Sequence, residues 1–269
     1  MIQVFFMIAS IFFIGDAQVD SYNSYPDSIA TIVAESIGVG THIYDVGDLS
    51  EHGYTEEYVV YDTIFPNTTP VPGNHDWYTQ LQWWPYGIPP VDVIDNGVHI
   101  VGWDTNTLGN LEYLTQILDD DMPTILYMHH PVYSDNIRNG RTSTRIEAIY
   151  RPIIEATEVD LVICGHGHAY ERHGKNKITY LVIGGAGAPL DSVGTSDTQI
   201  VSNSIHHFVE IQVVDDWMNV FVRDLNGFVF DTFEIYVGDN PLGLPGVVGS
   251  NIVPTEYKTW IDVKTKYLD

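Results

Sequence analysis

The chain has 269 residues, 44% of them apolar, and a formal net charge of -25. That length suits one α/β or β-rich domain with a sizeable core, and so acidic a surface argues against binding long nucleic acid or anionic lipid. Every Lys and Arg lies at or beyond Arg138, and the single cysteine, Cys164, excludes an internal disulfide framework.

Residues 1–15 are apolar enough to resemble the core of a secretory signal, with Ala17 near a plausible cleavage point. They carry no basic flank, however, and cleavage there would remove Asp16. The run is also shorter than the about 20 apolar residues of a membrane span. Residues 8–15 therefore read as a buried first strand, without stable membrane insertion, in a protein either secreted or cytoplasmic. Ile29, Ile32, Val33 and Ile37 recur at helical spacing after Pro26-Asp27-Ser28, which predicts a helix over 26–37. A strand over 41–46, a helix over 55–64 and a short apolar run over 69–71 follow. Next comes an aromatic loop over 78–90, where Trp77, Trp83, Trp84 and Tyr86 read as packing beside a site rather than as a substrate platform.

Residues 91–94 and 98–103 read as strands joined by the hairpin signal Asp95-Asn96-Gly97. Helices over 110–118 and 145–156 alternate with strands over 123–128 and 160–164. Beyond them lie β-rich runs over 178–183, 207–214, 218–222 and 228–235. Alternating strands and helices followed by a meander predict two sheets packed face to face with helices outside. Residues 1–236 form the expected domain, and 237–269 read as a tail or an edge extension.

The chemistry sits where apolar runs end. Five such runs lead at once into Gly15-Asp16, Gly47-Asp48, Gly73-Asn74-His75-Asp76, His129-His130-Pro131 and Gly165-His166-Gly167-His168. In open α/β sheets ligands bind outside the carboxyl ends of the strands. Carboxylates, an amide oxygen and imidazoles without thiolate favour Mn, Fe, Zn or Mg, and a carboxylate between two ions can bridge them at about 3.5–4 Å. Asp48 is the best bridging candidate, with Asp16 and His168 completing one shell and Asn74, His129 and His166 the other. Such a pair of ions supplies hydroxide at neutral pH and neutralises phosphoryl charge. His75 can donate a proton, and Asp76 or a carbonyl is expected to orient its ring.

The order GD, GD, GNHD, HHP, GHGH resembles that of the calcineurin-like metallophosphoesterase superfamily, which includes the purple acid phosphatases. The likeness spans roughly residues 8–235. It implies an α/β fold, a four-layer α/β/β/α sandwich of two mixed β-sheets flanked by helices, with a dinuclear centre. It also implies metal ligands at Asp16, Asp48, Asn74, His129, His166 and His168, with His75 on the phosphate. GHGHAYER over 165–172 and GGAGAP over 184–189 are similar to the plant-type purple enzymes.

Two positions depart from the pattern. Glu51 stands where purple enzymes carry a metal-binding Tyr, so no tyrosinate colour is expected. Gln18 stands where most members carry His, leaving an amide oxygen as a further ligand candidate. GDAQ with GDLSEHG resembles a bacterial and archaeal branch. The expected activity is hydrolysis of a small phosphate ester with two divalent ions (Fe, Mn or Zn). Phosphomonoesters are favoured over small-nucleotide diesters and over an inactive scaffold of the same fold. His130 and Arg172 are candidates for substrate contact. His206, His207 and Cys164 read as structural, His52 as an exposed polar loop residue rather than a substrate contact, and Asp104 as a capped turn or a support to the site.

Overall fold

The computed structural model describes residues 9–138, 143–157, 159–238 and 247–248. The first half comprises β1 (Ser10–Ile14), α1 (Ser24–Ile37), β2 (Ile43–Asp45), α2 (Thr55–Ile64), β3 (Thr68–Pro70), a short 3-10 helix (Asp76–Thr79), β4 (Val91–Asp95), β5 (Val98–Trp103) and α3 (Leu111–Leu118). Next come β6 (Thr124–Met128), α4 (Thr144–Ala156), β7 (Leu161–Cys164), β8 (Tyr170–Lys175) and β9 (Ile178–Ile183). The chain continues with β10 (Gln199–Asn203), β11 (His207–Val214), β12 (Trp217–Asp224), β13 (Val229–Tyr236) and β14 (Val247–Val248).

These strands make two mixed sheets, ordered β14-β13-β12-β11-β1-β2-β3 and β10-β8-β9-β7-β6-β5-β4. Parallel pairing is confined to β1-β2-β3 in the first and β5-β6-β7-β9 in the second. Strands buried on both faces need apolar residues at every position, which is why β6 and β7 read as unbroken apolar runs. On β6, Ile125 and Tyr127 enter the core between the sheets beside Phe13, Val46 and Val209. Leu126 and Met128 point the other way, onto Leu114, Ile146 and Tyr150 of α3 and α4. Ile14 and Ile43 likewise meet Ala30 and Val33 of α1 and Tyr58 and Tyr61 of α2. The result is the expected four layers, with the two sheets in the middle.

Most local signals held. Residues 55–64 form a helix as read, and Asn96 (φ 50°) with Gly97 (φ 81°) makes the left-handed turn of the β4-β5 hairpin. α1 begins two residues early because Asn23 accepts from the Tyr25 backbone N–H and caps it. The aromatic loop packs onto α2, with Tyr86 on Tyr58 and Tyr61 and its hydroxyl on Asp62.

Two strands were missed, β8 and β10. β8 reads YERHGK, too polar for a strand pattern, yet Glu171 and Arg172 are buried with partners, His173 on the same strand and the distant Asp231. Ile8 and most of 237–269 lie outside the described residues, and within that last stretch Val247–Val248 adds to the edge of β13. No helix among the described residues is long and apolar enough to cross a membrane.

Candidate metal centre

The carboxyl ends of β1, β2, β3, β6 and β7 meet on one edge of the sandwich. Three of the residues they deliver, Asp16 (φ 58°), Asp48 (φ 55°) and His166 (φ 67°), hold a left-handed backbone that non-glycine residues adopt at some cost. The glycines of two motifs have a steric reason. A Cβ on Gly73 would overlap the Asp48 carboxylate, and one on Gly165 would overlap that of Asp16. Gly73 and Gly165 therefore let neighbouring backbone close over the two acids.

Asp16 and Asp48 are both buried, at 0% and 1% exposure. His129 Nε2 lies 3.3 Å from Asp48 Oδ2 and 3.1 Å from Asn74 Oδ1, while its Nδ1–H donates to the Val46 carbonyl at 3.1 Å. His168 Nε2 lies 3.5 Å from Asp16 Oδ1, and its Nδ1–H donates to the Pro189 carbonyl at 3.1 Å. In each ring the far nitrogen is tied to a carbonyl, which turns Nε2 toward the acids. The His166 backbone N–H donates to Asp16 at 2.9 Å, and its ring stands 5.1 Å from that of His129. Asp16, Asp48 and His129 offer ligand atoms within 4.8 Å of one another, as do His129, His130 and His166.

The electrostatics of this donor set call for a cation. Burial alone would raise Asp48, but His129 and His75 outweigh it and hold the carboxyl below its usual range. Burial alone would lower His129, but Asp48, with Asp16 and Asp76, raises it to about 9. His168 rises against its burial through Asp16 and, behind it, Asp191. Protons on these imidazoles thus balance the carboxylates, and a divalent ion would displace them. His166 is pushed down to about 4 by burial and then by His129, which keeps a lone pair free for a metal. The residues present therefore fit divalent metal ions.

His75 stands at the rim. Its Nδ1–H donates to the Glu51 carbonyl at 2.8 Å, which leaves Nε2 3.9 Å from Asp48 Oδ2 and 3.4 Å from the Tyr78 hydroxyl. Of the two groups expected to orient this ring, a carbonyl, that of Glu51, does so and Asp76 does not, which corrects the catalytic role expected of Asp76. Asp76 is fully buried and accepts from the backbone N–H groups of Gly73 (2.8 Å) and Asp48 (3.0 Å) and from the Tyr58 hydroxyl (3.1 Å). It clamps the Asp48 turn to the GNHD turn.

Gln18 is brought to the site, but its amide nitrogen faces Asp48 Oδ2, at 3.5 Å, so it stands as a donor to that acid. His130 is also brought there, with its ring 4.8 Å from that of His166. The Thr105 hydroxyl accepts the His130 backbone N–H at 3.1 Å and lies 2.8 Å from its Nδ1. Burial, then His129 and His166, pushes His130 down to about 2, so it is neutral.

Arg172 is not brought to the site, which corrects its expected contact with substrate. It is buried between the sheets, its guanidinium paired with Asp231 at 2.9 and 3.1 Å and lying 4.6 Å from the centre of the Phe233 ring. His52 pairs with Glu57, and His206 and His207 bind the carbonyls of Gly185 and Ile205, as structural histidines do.

Three contributors escaped sequence reasoning: Thr105, Asp191 and Arg138. Thr105 and its neighbour Asp104 follow an apolar strand, the same signal as the other motifs, and Asn106 donates from its amide to the Pro72 carbonyl at 2.9 Å. Asp191 is buried with neither carboxylate oxygen hydrogen-bonded, 4.0 Å from His168 Nδ1. A cavity of about 320 Å³ opens beside the site, lined in part by Gln18, Asp20, Glu51, His75, Arg138 and His168.

This fold and this edge of carboxylates and imidazoles have the donor set and placement of a divalent metal centre at the carboxyl ends of parallel strands. The family model of calcineurin-like phosphoesterases matches residues 9–170, and the chain belongs to that family. Among solved structures it is similar to purple acid phosphatase PPD1 from yellow lupin (Lupinus luteus), at 17% identity and TM-score 0.73. That match covers 85% of this chain and 54% of the lupin chain, so the protein spans about half the length of this relative. It is also similar to GAP50, the anchor in the inner membrane complex of Plasmodium (16% identity, TM-score 0.68, covering 86% and 89% of the two chains). A dimetal phosphatase from Danio rerio matches at 12% identity and TM-score 0.58, over 86% of this chain and 99% of that one. No curated protein matches the sequence.

Proposed function

We propose that the protein is a dinuclear metal-dependent phosphomonoesterase. The observation that carries this reading is the convergence of Asp16, Asp48, Asn74, His129, His166 and His168 on one edge, with the buried Asp48 carboxylate central among them. Asp16 and His168 would hold one ion and Asn74, His129 and His166 the other, with Asp48 shared. When bound, the ions supply Lewis acidity that acidifies water and offsets phosphoryl charge.

The chain's own residues do the rest. Because His75 Nδ1–H is tied to the Glu51 carbonyl, the imidazolium form of His75 carries its second, transferable proton on Nε2. As water oxygen bonds to phosphorus and the ester P–O bond breaks, that proton passes to the departing oxygen, giving an alcohol and inorganic phosphate. If the Thr105 hydroxyl donates to Nδ1 of the neutral His130, Nε2–H is left to donate to a phosphoryl oxygen. Gln18 steadies Asp48. The cavity, about 320 Å³ and open to solvent, lies within the about 300–1,000 Å³ usual for small-molecule sites, which suits a small phosphate ester.

The test combines elemental analysis of the purified protein with a screen of mono- and diesters. Two ions per chain and faster turnover of monoesters are expected. With Glu51 in place of Tyr, iron-loaded protein should show no tyrosinate band. A chain that takes up no divalent metal, or cleaves only diesters, would count against the reading.

A further inference from the structure

Arg138 is the first basic residue in the chain and, among the described residues, the only Lys or Arg lining the cavity beside the metal centre. The other arginines placed near acids are engaged: Arg172 with Asp231, Arg223 with Glu210 and Arg151 with Glu147. Arg138 has no ion pair among the described residues, in a protein with 36 acidic side chains. Its side chain is exposed and shares the cavity with His75 and His168.

The segment that presents it is firmly built. The Arg138 backbone N–H donates to Asn136 Oδ1 at 3.0 Å, and Asn136 forms an antiparallel bridge with Val193. Ile137 N–H donates to the Ser192 carbonyl at 3.0 Å, and Gly194 N–H to that of Asp135 at 2.8 Å. At its start the buried Glu171 accepts from the Ser134 hydroxyl (2.7 Å) and the Asp135 N–H (2.6 Å). Glu171, from the GHGHAYER stretch, thus anchors the strap that carries Arg138 to the cavity.

We infer that Arg138 binds anionic oxygens of the substrate, the role the sequence suggested for Arg172. This rests on the phosphate-ester reading. A planar guanidinium pairs two oxygens of a phosphoryl or carboxylate group at once. Asp20 and Glu51 also line the cavity and repel anions, so the anion is directed to the Arg138 side. The oxygens belong either to the reacting phosphoryl group or to a second anionic group on the leaving group.

Metal-loaded wild type, Arg138→Ala and Arg138→Lys would be compared, first in calorimetric binding of inorganic phosphate. Steady-state kinetics would follow with p-nitrophenyl phosphate, glycerol phosphate and a phosphoester carrying a carboxylate. Loss of a charge-assisted pair should weaken binding about tenfold or more, with kcat affected less than KM and Lys restoring only part. If phosphate affinity and KM for all three esters suffer together, Arg138 holds the phosphoryl group. If only the carboxylated ester suffers, it holds the leaving-group anion. Changes below about twofold throughout, in an active enzyme, would overturn the role of Arg138 alone. A protein that binds phosphate through Arg138 yet hydrolyses no ester would sink the catalytic reading and leave this one standing.

Discussion

The His75 backbone N–H donates to Asp48 Oδ1 at 2.8 Å and its ring Nε2 lies 3.9 Å from Oδ2, yet their surroundings assign the two side chains different work. Asp48 is buried among donors suited to a cation, whereas His75 sits at the rim with one nitrogen fixed by a carbonyl and the other facing the cavity. His75→Ala should therefore keep its metals and lose about 10²–10⁴ in kcat. The loss should be largest for alkyl phosphates, whose leaving oxygen needs a proton, and smaller for nitrophenyl esters. Asp48→Ala should lose metal and activity together. Elemental analysis beside a leaving-group series separates the two, and metal depletion in His75→Ala would undo the division. Equal losses across leaving groups would leave His75 a phosphate-positioning residue only.

The element that most departs from its sequence pattern is β8. Its polar residues are compatible with the interior because each meets a partner: Glu171 with His173 at 3.0 Å, and Arg172 with Asp231 of β13. The Tyr170 hydroxyl donates to the same Asp231 at 2.6 Å, so this acid couples the two sheets. Asp231→Ala leaves a buried guanidinium unpaired, which typically costs about 3–5 kcal/mol. Urea unfolding should report that loss, and a second change, Arg172→Met, should restore much of it. A destabilisation under about 1 kcal/mol would show that water, not Asp231, satisfies Arg172.

For the molecule as a whole, stability against acid should depend in part on His207, a buried histidine that is not among the candidate metal ligands. It is fully buried between Tyr170 and Phe230, and burial pushes it from 6.5 down to about 4. The unfolded chain then binds a proton that the folded one refuses between those values. Stability is accordingly intact above about 6.5 and falls as pH drops toward about 4, by on the order of 3 kcal/mol. His207→Phe should flatten the dependence in that window, read from unfolding midpoints across pH. An unchanged slope would place the acid sensitivity elsewhere.

Much of this was legible in the chain itself. Strands buried on both faces must be apolar throughout, and an Asp or His that ends such a run is carried to the sheet edge by the strand's own direction. The runs before Asp16, Asp48, Asn74, His129 and His166 therefore announced both the parallel strands and the edge where they meet. Only the tertiary structure decided which polar groups face one another across long sequence separations. It gave the Glu51 carbonyl, not Asp76, to the His75 ring, and Asp76 to the Asp48 turn. It buried Arg172 against Asp231, 59 residues away, and brought Arg138 to the cavity. Hydrophobic periodicity is a local property written in consecutive residues, whereas the partner of a buried charge is set by packing between sheets, and no spacing along the chain encodes it.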